Sequence, residues 1–197
     1  MNYLAHIFLS RNDENFQIGN WIADLIKYNH VQHLPLEIQQ GVIHHRHIDK
    51  FADESKWFKE SVNKIRHHQG KYAPVVIDIC YDYLLRKNWN MYSEMPFEKF
   101  STKFYRLLNQ SKHLFPPYIE DRVDSMTSHR FLDTYEDMSG LSNVFQRVSA
   151  RASYTNNLIN AVHVIERWEA ELDSDFQLFF PMAISYSSSK YQEMKAL

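Results

Sequence analysis

Glycine, the residue that lets a backbone turn back on itself most cheaply, is nearly missing from this chain: four in 197 residues, beside six prolines. Hairpin turns and dinucleotide-binding loops both need glycine where φ is positive, so a β-sandwich and a Rossmann fold are disfavoured and helices with short connections remain. The apolar pattern agrees. Across residues 74–89, Val75, Val76, Ile77, Ile79, Cys80, Tyr83, Leu84 and Leu85 leave few polar gaps, and no turn residue interrupts before Asn88, which predicts a helix near the centre of the fold. Residues 34–52 open with Pro35 and carry Leu36, Ile38, Val42, Ile43 and Ile48 at helical spacing. Asp53 or Ser55 is placed to cap a following helix that Gln69-Gly70 ends. Further helices are expected over 96–109, 117–126, 141–151 and 155–172, with one more over about 176–184. No repeat or Gly/Ser-rich linker divides the chain. The expectation is all-α: a compact single domain over residues 1–197 with some seven to nine helices.

Charge and cysteine content limit the setting. Lys and Arg number 22 against 24 Asp and Glu, a formal charge of -2, so no global basic field favours nucleic acid. A single cysteine, Cys80, rules out an internal disulfide framework and a multi-cysteine zinc site. The N-terminus has no cationic leader, and no apolar run approaches the roughly 18 residues of a membrane span. A cytoplasmic protein that touches neither membrane nor nucleic acid is expected.

The chemistry is suggested by acids and imidazoles on helices that should be buried. Asp78 and Asp82 are four residues apart on the most apolar helix, so their carboxylates share one stripe about 40° wide. Facing a dry core they would repel each other and resist ionisation, so they need a cation or a wet cleft. The plainer alternative has Asp78 capping its helix and Asp82 paired with Arg86. In 44–53, His45, Asp49 and Asp53 fall along one slowly drifting stripe with Arg46 a step round from it. Imidazole plus carboxylates is a ligand set for Mn²⁺, Fe²⁺ or Zn²⁺, and a guanidinium beside them suits a phosphate oxygen. His6 and Asp24, each behind an apolar patch, add to the set. No G-x-S-x-G, P-loop, G-x-G-x-x-G or H-E-x-x-H occurs.

The segments 2–6 (Asn-Tyr-Leu-Ala-His), Gly19-Asn20 with Ala23-Asp24, the run 45–49 (His-Arg-His-Ile-Asp) and 78–89 with Asp82 and Arg86 occur in the order seen in the acyl carrier protein phosphodiesterase family. Asp137-Met138, Asn143-Val144 and Ser149-Ala150-Arg151 extend the resemblance over nearly the whole chain. The resemblance implies a metal-dependent phosphodiesterase that hydrolyses the bond between phosphopantetheine and a serine of holo acyl carrier protein. It also implies an HD-like helical architecture, although no His-Asp dipeptide is present. By the same resemblance, Mn²⁺, with Mg²⁺, Fe²⁺ or Zn²⁺ as alternatives, is held by some of His6, Asp24, His45, Asp49, Asp78 and Asp82. Asp24, His45, Arg46 and Asp82 take catalytic roles, and Asn20, Arg46, Arg86 and Arg151 contact the substrate. An acidic carrier protein needs positive charge near the cleft, and Lys56, Lys59, Lys64, Arg66 and Lys71 face only Glu60 in their stretch, which makes Lys64 and Arg66 candidate docking residues. Two other readings stay open: the same site acting on a nucleotide or another small phosphodiester, and a helical binding module without catalysis.

Overall fold

The most apolar segment becomes the centre around which the rest is arranged. In the computed structural model, which describes residues 1–196, the helices are α1 (Tyr3–Leu9), α2 (Glu14–Ile22), the single turn α3 (Tyr28–Val31), α4 (Leu36–Glu54), α5 (Lys56–Gln69), α6 (Ala73–Lys87), the single turn α7 (Trp89–Tyr92), α8 (Phe97–Ser111), α9 (Pro117–Ser128), α10 (Met138–Arg151) and α11 (Ala161–Lys195). No strand occurs among the described residues, and no helix is long and apolar enough to cross a membrane. Most of α6 is buried, including every residue from Ile79 through Leu85, and α1, α5 and α11 pack against it. Pro74 sits in its first turn, where a missing N–H costs nothing.

Helix boundaries follow local chemistry. Gly70, at φ 55, ends α5, a backbone conformation that side chains with a Cβ resist. Asp137 starts α10 three residues earlier than its apolar pattern suggests, its Oδ1 accepting from the Gly140 amide at 2.7 Å. Two helices expected over 155–172 and 176–184 are one. α11 runs unbroken for 35 residues, through Pro181. Proline removes one helical hydrogen bond and crowds the preceding turn. Burial of Phe176, Phe179, Phe180 and Ala183 along a single face works in the opposite direction and holds the helix together.

Helices α2 and α4 meet glycine on glycine. A Cβ on Gly41 of α4 would lie 2.9 Å from the Cα atoms of Gly19 and Phe16 on α2, and one on Gly19 would collide with the Ile38 carbonyl and the Gly41 backbone. The two backbones therefore touch. This contact sets the height at which α2 and α4 present the residues that follow each glycine.

α1 is too short for its apolar period to be recognised, and its cap comes from elsewhere in the chain. Asn2 has the identity of a capping residue but its Nδ2 donates to the Tyr135 hydroxyl at 2.8 Å. The free amides of Leu4 and Ala5 donate instead to Asp82 on α6, at 2.7 and 3.0 Å.

Candidate functional site

α4 places His45 and Asp49 one turn apart on the same face. α1 brings His6 against them, and the turn after α2 brings Asp24. The Asp49 carboxylate lies against both imidazoles, Oδ1 3.0 Å from His6 Nε2 and Oδ2 3.0 Å from His45 Nε2; Asp24 Oδ1 is 3.2 Å from the same His45 nitrogen. The two rings stack with centroids 3.9 Å apart and planes 18° from parallel. One ligand atom from each of His6, His45 and Asp49 falls within 4.8 Å of the others, which makes this a group able to hold a metal ion.

Asn20 explains how the rings are aimed. Its Nδ2 donates to the Phe16 carbonyl at 3.0 Å and to His44 Nδ1 at 3.1 Å, so Oδ1 is its acceptor and takes the proton of His6 Nδ1 at 3.3 Å. Its backbone carbonyl accepts from His45 Nδ1 at 2.9 Å. With both Nδ1 positions protonated, the neutral form of each ring carries a bare lone pair on Nε2, and both lone pairs point at the Asp49 carboxylate. His6 Nε2 also faces the Met1 carbonyl at 3.1 Å. Lone pairs converging on oxygen lone pairs repel unless something positive lies between them. His45 Nε2 is buried and aligned for a hydrogen bond with none of its neighbours. Such an orphaned nitrogen, held by its far side and surrounded by carboxylate oxygen, is what a metal-ligating imidazole looks like from the protein side. His44, one residue along and about 100° round the helix, does different work. Its Nε2 donates to the Ser187 carbonyl at 3.1 Å, and the Ser187 hydroxyl donates to the Leu9 carbonyl at 2.6 Å, so α11 is fastened to α4 and α1 behind the site.

The electrostatics fit a site that wants a cation. Burial, and then the neighbouring His45 charge, push the His6 pKa down to about 4, so it is neutral at pH 7. Burial would lower His45 as well, but Asp24 and Asp49 outweigh it and raise it to about 9. Burial opposes ionisation of Asp49, yet the two imidazoles hold it well below the usual carboxylate range.

A second acid, Asp78, is answered by a group the sequence reading did not consider. The Met1 ammonium is buried, 2.7 Å from Asp78 and 3.7 Å from Asp49. Burial lowers its pKa, but the carboxylates prevail and it rises to about 10. Asp82 lies outside the ligand group: both its oxygens are taken by the Leu4 and Ala5 amides, and burial raises its pKa to about 7 against the pull of those amides. The alternative pairing of Asp82 with Arg86 is not formed either.

The structure sorts the cationic candidates. Arg46 is exposed on α4, turned away from the His45 face. Arg86 pairs with Glu136 and Glu98 and covers the Phe97 ring, so it serves the α6 to α8 packing. Lys64 bonds to buried Asp175, which also accepts from Ser61. Arg66 lines a cavity of about 410 Å³ with Lys59 and Asp53, the latter one turn beyond Asp49. Asn20 stands behind the imidazoles rather than in the open. Arg151 does reach a cleft of about 650 Å³ that begins at Met1, Asp24 and Asp78 and continues between α6, α9 and α10. Arg122 and Arg147 line it too, and sequence reasoning missed both. The one available signal was the i,i+4 spacing of Arg147 and Arg151 beside Val144 and Val148.

Comparison with known proteins now bears on this geometry. The family described as acyl carrier protein phosphodiesterase matches residues 1–183. The chain belongs to that family. An acyl carrier protein phosphodiesterase from Salmonella paratyphi A is 26% identical over 191 residues, spanning 96% of this chain and 99% of the relative. Acyl carrier protein phosphodiesterases from Salmonella dublin and Salmonella newport are 25% identical over the same share of both chains. No solved structure matches the chain. Every residue of the candidate site described above, from Met1 to Arg151, lies inside the matched span.

Proposed function

We propose that this protein is a divalent-metal-dependent phosphodiesterase that cleaves the phosphopantetheine arm from holo acyl carrier protein. Family membership supports the phosphodiesterase and its carrier-protein substrate. The observation that carries metal dependence is the pair of Nε2 lone pairs, fixed by Asn20 and aimed with Asp49 at one point. His6, His45 and Asp49 would hold the ion, with Asp24 beside them. Mn²⁺ suits two imidazoles and a carboxylate, as do Fe²⁺ and Zn²⁺. A bound divalent ion supplies Lewis acidity, which lowers the pKa of a water and draws charge from a phosphoryl oxygen.

The chain's own groups account for the rest of the reaction. Asp24 faces both His45 and the open cleft, so its carboxylate is the base that takes a proton from the attacking water. The water oxygen bonds to phosphorus, the bond from phosphorus to the serine oxygen breaks on the opposite side, and the serine oxygen takes a proton from solvent in the open cleft while Asp24 returns its own to solvent. Neither imidazole has a proton free for this, since each Nδ1–H is held by Asn20. Arg151 at the cleft wall offsets charge on the phosphoryl oxygens. Lys59 and Arg66, which line a pocket together with Asp53, one turn past Asp49, provide positive charge toward an acidic carrier protein, while Lys64 is occupied by Asp175.

Mass spectrometry of holo acyl carrier protein incubated with the Mn²⁺-loaded protein tests this reading. Loss of the complete phosphopantetheinyl mass, stopped by a chelator and restored by Mn²⁺, is expected. Full retention of that mass with demonstrably metal-loaded protein overturns it.

A further inference from the structure

The cleft beyond the ion site contains more positive charge than the protein itself uses. Arg122 projects from α9, Arg147 and Arg151 from α10, and no carboxylate among the described residues is ion-paired with any of them. Among the described residues, the side-chain hydrogen bonds of Arg147 and Arg151 run from Nε to backbone carbonyls of their own helix, those of Asn143 and Arg147, and none involves the outer guanidinium nitrogens. The positive groups reach back to the ion site: partly buried Tyr3 lines the same cleft as Asp24, Arg122 and Arg151. Between them the walls are aliphatic, with Val75 and Ile79 from α6 and Val144 and Val148 from α10.

A free inorganic anion would have no use for such walls, and a purely apolar ligand would leave three guanidiniums unanswered. Resting on the phosphodiesterase reading above, we infer that this cleft seats the phosphopantetheinyl arm, Arg122, Arg147 and Arg151 gripping its phosphate while the aliphatic walls take the chain beyond it. A slot of about 650 Å³ is within the range that buries a ligand of this size. Charge adds a consequence. The phosphodiester carries one negative charge, whereas the released phosphomonoester carries roughly 1.5 to 2 at pH 7, so the arginines hold the product more tightly than the same arm in the substrate.

Calorimetry on the ion-loaded protein, titrated with free 4′-phosphopantetheine, with pantetheine and with adenosine monophosphate, tests the seat without needing turnover. Failure to cleave holo carrier protein would sink the phosphodiesterase reading in its own assay, and failure of the seat appears only here. Pantetheine is expected to bind at least about tenfold more weakly than phosphopantetheine. The double variant Arg147→Ala, Arg151→Ala, changed only at exposed positions of α10, should lose about tenfold in phosphopantetheine affinity and none for pantetheine. In turnover, inhibition by product should weaken more than KM rises. The assignment is overturned if the double variant binds phosphopantetheine as tightly as the wild type, or if adenosine monophosphate binds as well as phosphopantetheine and with the same dependence on the two arginines.

Discussion

Asn20 offers nothing directly to an ion, yet both imidazoles of the site take their orientation from it. Replacing it by alanine keeps the backbone carbonyl that holds His45 but frees His6 to rotate and leaves His44 Nδ1 without its donor. Metal affinity should fall roughly 10- to 100-fold, as for other groups that orient ligands from behind; calorimetry with Mn²⁺ on folded Asn20→Ala protein reads this, and an unchanged affinity would remove Asn20 from the site. His45 gives a pH prediction. Without an ion its pKa is raised to about 9, so at pH 7 a proton supplies the positive charge the carboxylates require. An entering ion must displace it, and about one proton should be released per ion bound at pH 7, measured by repeating the titration in buffers of different ionisation enthalpy. Affinity should then weaken as pH drops below about 9. The stability sign runs the other way for the ion-free protein: the proton on His45 stabilises the fold fully below the unfolded pKa near 6.5, and that contribution disappears as pH climbs through about 9. His45 and Asp49 were legible in the sequence because helical spacing alone puts them on one face. Asp82 was misjudged because its partners, two backbone amides 77 and 78 residues away, leave no trace in side-chain identity.

At the level of helices, the contact between Gly19 and Gly41 governs the site. The residues after Gly19 supply Asn20 and Asp24, and those after Gly41 supply His45 and Asp49, so the depth of the crossing fixes their separation. Gly19→Ala forces backbone against backbone, with no flexible side chain to yield. A loss of about 1 to 3 kcal/mol, larger if the helices cannot part, is expected in urea denaturation, together with weakened Mn²⁺ binding. Gly70→Ala is the control. It strains a positive φ in open space, far from the ligands, and should cost about 1 kcal/mol while leaving Mn²⁺ affinity unchanged. Apolar periodicity revealed α4, α5, α6 and α8 well, since each buries one face or nearly all of itself. It divided α11 in error: Asp173, Ser174 and Asp175 read as a break, but Asp175 is buried and bonded to Lys64 and Ser61, a polar pair that the pattern of hydrophobic residues cannot represent. α1 went unrecognised because a seven-residue helix capped by a distant aspartate has neither period nor local start signal.

Across the whole molecule, charge is divided by task. A net charge of -2 conceals two clusters of positive groups: the arginines of the cleft that begins at Met1 and Asp24, and Lys59 with Arg66 in the pocket that Asp53 also lines. Lys59→Glu with Arg66→Glu should raise KM for holo carrier protein several-fold at low salt, flatten its salt dependence and leave Mn²⁺ binding alone. An unaltered KM at low salt would mean that the carrier protein approaches from another side. One further consequence follows from where α11 ends. The family match stops at residue 183, but Ser187, which fastens Leu9 and His44 from behind, lies past it. The alignment with the Salmonella paratyphi A relative, over 96% of the chain, does span that position. A shortened chain stopping at residue 183 should retain every liganding atom and still bind Mn²⁺ more loosely, because water would enter where the serine had closed the back of the imidazoles.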